Sequence, residues 1–271
     1  ASIFEPPYLF SGNNYATRPV IEGTPERVRY ATDFSICTPY LTALSSVCLI
    51  RPAAVTHAFD QNQRYVPLTI KSTDPGGTRS VIAAPADSFL APPGDYMMFI
   101  VNTAGVPAVA KWVRDGRFLY GTDSTPPDTS GDFEVDLVSS STLGLIWSWT
   151  GDDGNTGTAM FSDLRMSTSP ITTANFSSCQ QLTPLPVPAC AGYGQSFVVN
   201  GLSACTNYYF ALRTADERGN LSALSRCTAK TGCWGGGLQA TRSGDREEVG
   251  SGSAQAPATA RPSGDQSLAA A

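Results

Sequence analysis

The sequence contains one histidine, His57, so it has no second imidazole with which to pair for metal binding or proton relay. Charge is also scarce. Only 15% of residues are Asp, Glu, Lys or Arg, the net charge is −5, and no basic run is present. That balance excludes the electrostatic footprint of a nucleic-acid partner and of binding to an anionic membrane surface. No apolar run approaches the ~20 residues that a membrane helix requires, so no membrane span is expected. No stretch keeps a helical period, and no GxSxG elbow or defensible Ser/His/Asp set is present. None of the seven cysteines forms a CxxC pair, which with one histidine excludes a zinc finger. The chain opens at Ala1 without a charged-plus-apolar leader, which reads as a processed or truncated start.

What is present is β structure. Glycine (25) and proline (20) are abundant, as in a turn-rich all-β chain. "YVPLTIKS" and "RSVIAAP" flank "TDPGGT", which has the turn chemistry of a hairpin. "DYMMFIVN" is an unbroken apolar run, expected as a central strand buried on both sides. Further on, "LGLIWSW" puts Leu143, Leu145, Trp147 and Trp149 on one face, and Tyr208, Phe210 and Leu212 alternate in the same way. The expected fold is therefore two immunoglobulin-like β-sandwich domains in tandem. They occupy residues 1–117 and 132–231, joined by a Pro/Gly/Ser-rich linker at 118–131. Residues 232–271 are nearly free of large apolar side chains and read as a disordered low-complexity tail.

The cysteine spacing suits disulfides in an oxidising compartment, which favours a secreted or cell-surface protein over one with free cytosolic thiols. Cys37 and Cys48 fall on successive expected strands with outward parity, so a staple between them is one expectation. Cys179 and Cys190 bracket "QQLTPLPVPA" and could close that loop. "NFS" at Asn175 and "NLS" at Asn220 match the glycosylation acceptor pattern. Asp152 and Asp153 admit two readings, a cation site or a solvated turn, and two oxygens-bearing side chains fall short of the six or more oxygens calcium takes.

Residues 132–231 resemble a fibronectin type III domain. Trp147 is similar to that family's core tryptophan, and "GLSACTNYYFALRTADERGNLSALS" resembles its tyrosine-corner passage. The resemblance implies that the Tyr208 hydroxyl bonds a nearby backbone carbonyl. It also places Cys205 near the base of the last hairpin, within reach of Cys227 or Cys233, with Cys227 the expected partner. A sandwich is a scaffold, so this module is expected to act as a spacer.

His57 follows "VCLIRPAAVT" at the exit of an expected strand, beside Asp60, Gln61 and Arg64. On residue type alone it reads equally as a surface side chain. Three passages add to that reading: "IFEPPYLFSGNNYATRPVI", "LIRPAAVTHAFDQNQRYVPLTI" and "APPGDYMMFIVNTAGVPAVAKWVR". In order and spacing they resemble the C-terminal immunoglobulin-like early-set domain of galactose oxidase and related copper-radical oxidases. That resemblance implies a parent chain with a kelch-type propeller upstream, into which this domain sends one loop. It makes His57 similar to the family's copper-binding histidine, with Thr56, Asp60, Gln61 and Arg64 shaping and supporting the loop. Arg64 is equally open to a solvated or locally paired role. The Tyr-His pair and cross-linked tyrosine that complete such a site are expected from the propeller, since this chain has no Tyr-His dipeptide. Ala58 and Ala108 stand where family members often have serine.

The function implied is that of the accessory C-terminal portion of a secreted oxidase. The parent would use copper and a tyrosyl radical to convert alcohols or aldehydes with O2, releasing hydrogen peroxide. The alternative is a non-catalytic extracellular structural or binding module. Under either reading carbohydrate is a candidate partner, with Trp112 or Trp234 as stacking surfaces.

Overall fold

The computed structural model describes residues 4–39, 43–115, 123–233 and 239–240. The first part of the expected linker and the tail beyond Ala240 lie outside the described residues, as does Trp234. Among the described residues there are two short 3-10 turns, no α-helix, and therefore no helix able to cross a membrane.

The first half comprises β1 (Phe10–Ser11), β2 (Asn14–Tyr15), β3 (Arg27–Val28), β4 (Asp33–Cys37), β5 (Leu44–Arg51), β6 (Ala54–Thr56), β7 (Phe59–Gln61), β8 (Arg64–Thr73), β9 (Arg79–Ala83), β10 (Gly94–Asn102) and β11 (Lys111–Asp115). Seven of these run in the order β3-β11-β10-β5-β8-β9-β4. β8 belongs to both layers. Arg64 to Leu68 pair with β5, whereas Thr69 to Thr73 pair with β9. One long strand thus turns the corner of the sandwich. The expected hairpin at "TDPGGT" is formed. Asp74 Oδ1 accepts from the amides of Thr78 and Arg79, and Gly77 sits at φ +63°, where a side chain would be strained.

The core of this sandwich gathers Phe34, Ile36, Val47, Leu49, Ile82, Tyr96, Met98 and Ile100, all buried. β10 is the exception to expectation. It buries Tyr96, Met98 and Ile100 fully, but Met97, Phe99 and Val101 are only half-covered. An apolar run in the middle of a sheet still alternates when just one face meets the opposing layer.

The second half comprises β12 (Glu134–Val138), β13 (Thr142–Ser148), β14 (Phe161–Ser167), β15 (Gln180–Gln181), β16 (Gly194–Asn200), β17 (Asn207–Ala215), β18 (Ser225–Lys230) and β19 (Gln239–Ala240). They form two four-stranded sheets, β16-β13-β12-β19 and β15-β14-β17-β18, of the immunoglobulin-like class. Leu143, Leu145, Trp147 and Trp149 from one sheet meet Tyr208, Phe210 and Leu212 from the other, and all seven are buried. Each such side chain removed from water contributes about 1.5–3 kcal/mol before entropy is charged against it. Trp147 and Trp149 meet edge to face, 5.4 Å between ring centres. The Tyr208 corner is present with a different partner from the one expected. Its hydroxyl accepts from the backbone N–H of Ser203 at 2.9 Å rather than donating to a carbonyl.

The disulfides also differ from expectation. Cys37 pairs with Cys190, and Cys205 pairs with Cys233. Cys48, Cys179 and Cys227 are free. The Cys37–Cys48 staple fails because β4 and β5 are separated by β8 and β9 in the sheet, and both side chains are buried rather than outward. Cys227 cannot reach Cys205, because it stands opposite Phe210, five residues or about 16 Å further along the ladder. Cys205 lies level with Gly232, to whose carbonyl it donates its N–H, so Cys233 is the neighbour. Cys179 donates its thiol to the Asn175 carbonyl and stays half-buried beside its own turn.

The Cys37–Cys190 bridge crosses from one sandwich to the other. Around it, the Arg79 guanidinium donates to the Val187 carbonyl, and the Tyr193 hydroxyl donates to the Thr38 carbonyl at 3.0 Å. Gly23 is required there, since a Cβ at that position would lie 2.5 Å from Cys190 Sγ. Residues 123–131 lie against the second sandwich. The Asp128 amide donates to the Gly154 carbonyl, and the Ser225 hydroxyl donates to the Ser130 carbonyl.

Candidate functional site

β5 and β8 form a ladder that ends at the facing pair Arg51 and Arg64. Beyond it the chain continues outward as a separate two-stranded ribbon, β6 with β7, pairing Ala54 with Gln61 and Thr56 with Phe59. His57 and Ala58 make the tip. The six residues from Arg51 to His57 allow a reach of up to about 20 Å from the ladder's end.

The tip is a tight turn in which His57 has φ +50° and Ala58 φ +67°. Two consecutive left-handed residues are what a two-residue hairpin turn demands, and that geometry normally recruits Asn-Gly. Here neither residue is glycine, so the conformation costs about 1–2 kcal/mol at each position. Local strain held at a projecting tip is a recurrent mark of a functional loop.

His57 is exposed. Its Nδ1 lies 2.8 Å from the Thr56 hydroxyl. In the tautomer whose Nδ1–H donates to Thr56, Nε2 presents its lone pair outward. No group of three or more His, Cys, Asp or Glu donors gathers round it among the described residues. The chain therefore offers one ligand at this tip and no completed site. That single imidazole fits one position of a Cu(II) coordination sphere and cannot by itself fill one.

The other expected loop residues are placed as follows. Gln61 is exposed at the end of β7, and the Asp60 side chain lies outside the described residues. Arg64 turns back to the sandwich, where its Nη1 donates to the carbonyls of Phe89 (2.6 Å) and Leu90 (3.0 Å). Opposite it, Arg51 stacks over the Tyr96 ring and reaches the Pro93 carbonyl at 3.5 Å. Asp87 Oδ1 accepts from the amides of Phe89 and Leu90, so the 87–93 loop is fastened from three sides.

Sequence reasoning overlooked the apolar side chains of this end. Val55, Phe59, Tyr65 and Phe89 are 75%, 71%, 61% and 87% exposed. The alternation of "AVTHAFDQNQRY" announces a strand pair, but nothing in a single sequence says that neither face of it is covered. Large uncovered apolar side chains clustered round a projecting hairpin are the usual mark of an interaction surface. Trp112 is also exposed, at 62%, but lies on β11.

Known proteins share this half of the chain. Residues 18–114 match the family model described as galactose oxidase-like, early set domain. An aldehyde oxidase GLOX of Vitis pseudoreticulata is 42% identical over 118 residues, covering 41% of this chain and 22% of that protein. A galactose oxidase of Gibberella zeae is 40% identical over 116 residues, covering 42% of this chain and 16% of that protein. Among solved structures, a fungal alcohol oxidase of the AA5 family in complex with copper is 35% identical. It covers 41% of this chain and 24% of that one, with a TM-score of 0.39. The matched segment spans under a quarter of the length of each of these relatives.

Proposed function

We propose, from the premise that the first sandwich is a galactose oxidase-like early set domain, that this chain is the C-terminal accessory portion of a copper-radical oxidase. One observation carries the reading: His57 stands at the strained tip of an exposed ribbon whose own Val55 and Phe59 are uncovered, with exposed Tyr65 and Phe89 at its root. An isolated two-stranded ribbon is marginal in water, so this one is built to be covered. A kelch-type propeller of the same parent chain would cover it and supply the missing ligands. Bound copper would supply the redox couple for oxidising an alcohol or aldehyde while O2 takes up two electrons and two protons to give hydrogen peroxide.

The residues of this chain would do narrower work. His57 Nε2 would hold the metal, and Thr56 would fix the tautomer and the ring plane. Phe59, Val55 and Phe89 would exclude water from the contact with the propeller. Arg64 and Arg51 would keep the neighbouring loop in register with the ribbon. The second sandwich would serve as a spacer. Two disulfides support an oxidising, extracellular setting.

The test is copper content and alcohol oxidation in the parent protein, purified with its upstream region. One copper per chain, lost together with activity in His57→Ala, is expected. The chain 1–271 alone should show no turnover with added copper. Full copper retention in His57→Ala would overturn the ligand assignment. A folded parent without copper would favour the non-catalytic extracellular module.

A further inference from the structure

Two glycosylation motifs in the second sandwich have no part in the oxidase reading, and the fold treats them differently. Asn175-Phe176-Ser177 lies in the β14–β15 connection, and Asn220-Leu221-Ser222 in the β17–β18 turn. Both asparagines are partly exposed, so exposure does not separate them. The hydrogen bonds at Nδ2 do. An asparagine amide nitrogen has two hydrogens, and an attached sugar replaces one of them.

Asn175 has a hydrogen to give. Its Nδ2 donates to the Pro170 carbonyl at 3.0 Å and to no other acceptor among the described residues. Its Oδ1, which a sugar leaves intact, accepts from the Thr172 amide at 2.6 Å and the Thr172 hydroxyl at 3.2 Å. The turn that follows, Phe176–Ser178, is anchored to the sandwich. Phe176 is buried, with the guanidinium groups of Arg165 and Arg213 over its ring at 5.4 and 5.0 Å from the centre. Arg165 Nη1 also donates to the carbonyls of Ser177 and Cys179. Thr172, Thr173, Ala174, Ser177 and Ser178 around the asparagine are all exposed. The acceptor is thus held in one orientation, with open surface on both sides of it along the chain.

Asn220 has none to spare. Its Nδ2 donates twice, to Asp216 Oδ2 at 2.7 Å and to the Asp123 carbonyl at 3.3 Å. Asp216 is fully buried, and its other oxygen accepts from the amides of Arg218 and Asn220. A sugar on Nδ2 would displace one of the two acceptors. That would either strip a donor from a buried carboxylate or unfasten Asp123 from the turn. Ser222, the third residue of the motif, is itself buried, accepting from the Thr214 amide and donating to the Ala223 carbonyl. We propose that Asn175 carries an N-linked oligosaccharide in the mature protein and that Asn220, despite the same motif, stays bare. In the transfer, Nδ2 bonds to the anomeric carbon of a lipid-diphosphate-linked oligosaccharide and loses one proton, and the lipid diphosphate leaves. Transfer to the growing chain meets both motifs unfolded, but the folded chain accommodates the product only at Asn175. The Phe176–Ser178 turn leads into β15, the outer strand of its sheet. A bulky hydrophilic group beside it would keep that edge from pairing with another chain. The proposal rests on the extracellular setting inferred above, and not on His57 or copper.

The experiment is secretion of chain 1–271 from insect cells behind a cleavable leader, then release of its glycans by peptide N-glycosidase in heavy-oxygen water. That enzyme turns a glycosylated asparagine into labelled aspartate, so peptide masses mark each occupied position. Label is expected at Asn175 and absent at Asn220. Asn175→Gln should abolish the mobility shift that deglycosylation gives the parent chain, and Asn220→Gln should leave that shift unchanged. The labelling is read on the parent chain, so it stands whether or not either variant folds. A secreted chain with Asn175 unlabelled would overturn the proposal, and so would label at Asn220. Because the leader imposes the extracellular route, either failure would count against the glycan assignment and leave the localisation reading untouched.

Discussion

Arg51 and Arg64 face each other across the last rung of the β5–β8 ladder, and their guanidinium groups fasten one and the same loop, 89–93. The root of the His57 ribbon and the loop carrying Phe89 are thereby one mechanical unit. Arg64→Ala removes two carbonyl bonds at an exposed position, so global stability should fall by only about 0.5–1.5 kcal/mol. The local effect should be larger. Chymotrypsin should cut after Phe89 or Leu90 markedly faster in the variant, as read by mass spectrometry of timed digests.

The turn at the tip carries its own strain. Ala58 at φ +67° has a Cβ that glycine lacks, so Ala58→Gly should stabilise the ribbon by about 1 kcal/mol. Because the ribbon frays independently of the sandwich, the melting temperature should barely move. Cross-ribbon nuclear Overhauser contacts between Val55 and Asp60 backbone protons should instead persist to higher temperature.

Asp132 supplies the pH dependence that can be assigned with a sign. Burial pushes its carboxyl up. That is outweighed by the Ser148 hydroxyl and amide and the Ser130 hydroxyl, all donating to it, and the net shift is downward. A carboxyl depressed in the folded state contributes stability above its unfolded value and loses it as pH falls through the folded value. Urea midpoints should therefore decline below about pH 4 in the parent chain, and Asp132→Asn should flatten that decline. A variant with an unchanged slope would assign the acid sensitivity elsewhere.

The Cys37–Cys190 bridge closes a span of 153 positions. Replacing both cysteines with serine should cost about 2–4 kcal/mol, and small-angle scattering should show a broader distribution of shapes. Gly23→Ala tests the same contact from the other side. The added Cβ would press on Cys190 Sγ, so the bridge should form more slowly in oxidative refolding.

Much of this was legible in the chain itself, and the reason is periodicity. The alternation of Leu143, Leu145, Trp147 and Trp149 depends only on neighbours two residues away, and the structure buries all four. The hairpin at Asp74–Arg79 is likewise a local matter of turn chemistry. His57 drew notice as the one histidine in a passage that resembles a galactose oxidase-like domain; its local pattern gave only the exit of a strand, and the projecting loop was implied by the resemblance. What escaped is whatever depends on contacts distant in sequence. Cys190 finds Cys37 only after two sandwiches have met, so spacing pointed to nearer partners. "GDDG" has the composition of a solvated turn, and Asp152 is buried by the fold of its own loop and the packing around it. Phe59 looks like any strand residue until it is known that nothing lies over it.

A bridge with arginine and tyrosine contacts beside it turns two beads on a string into a bracket. A propeller that gripped the His57 ribbon would therefore also fix the heading of the second sandwich, which could neither sweep across the propeller's mouth nor trail behind it. Whatever is joined to the far end of the second sandwich would leave such an assembly in a set direction. Only a reductant strong enough to open Cys37–Cys190 would release that heading.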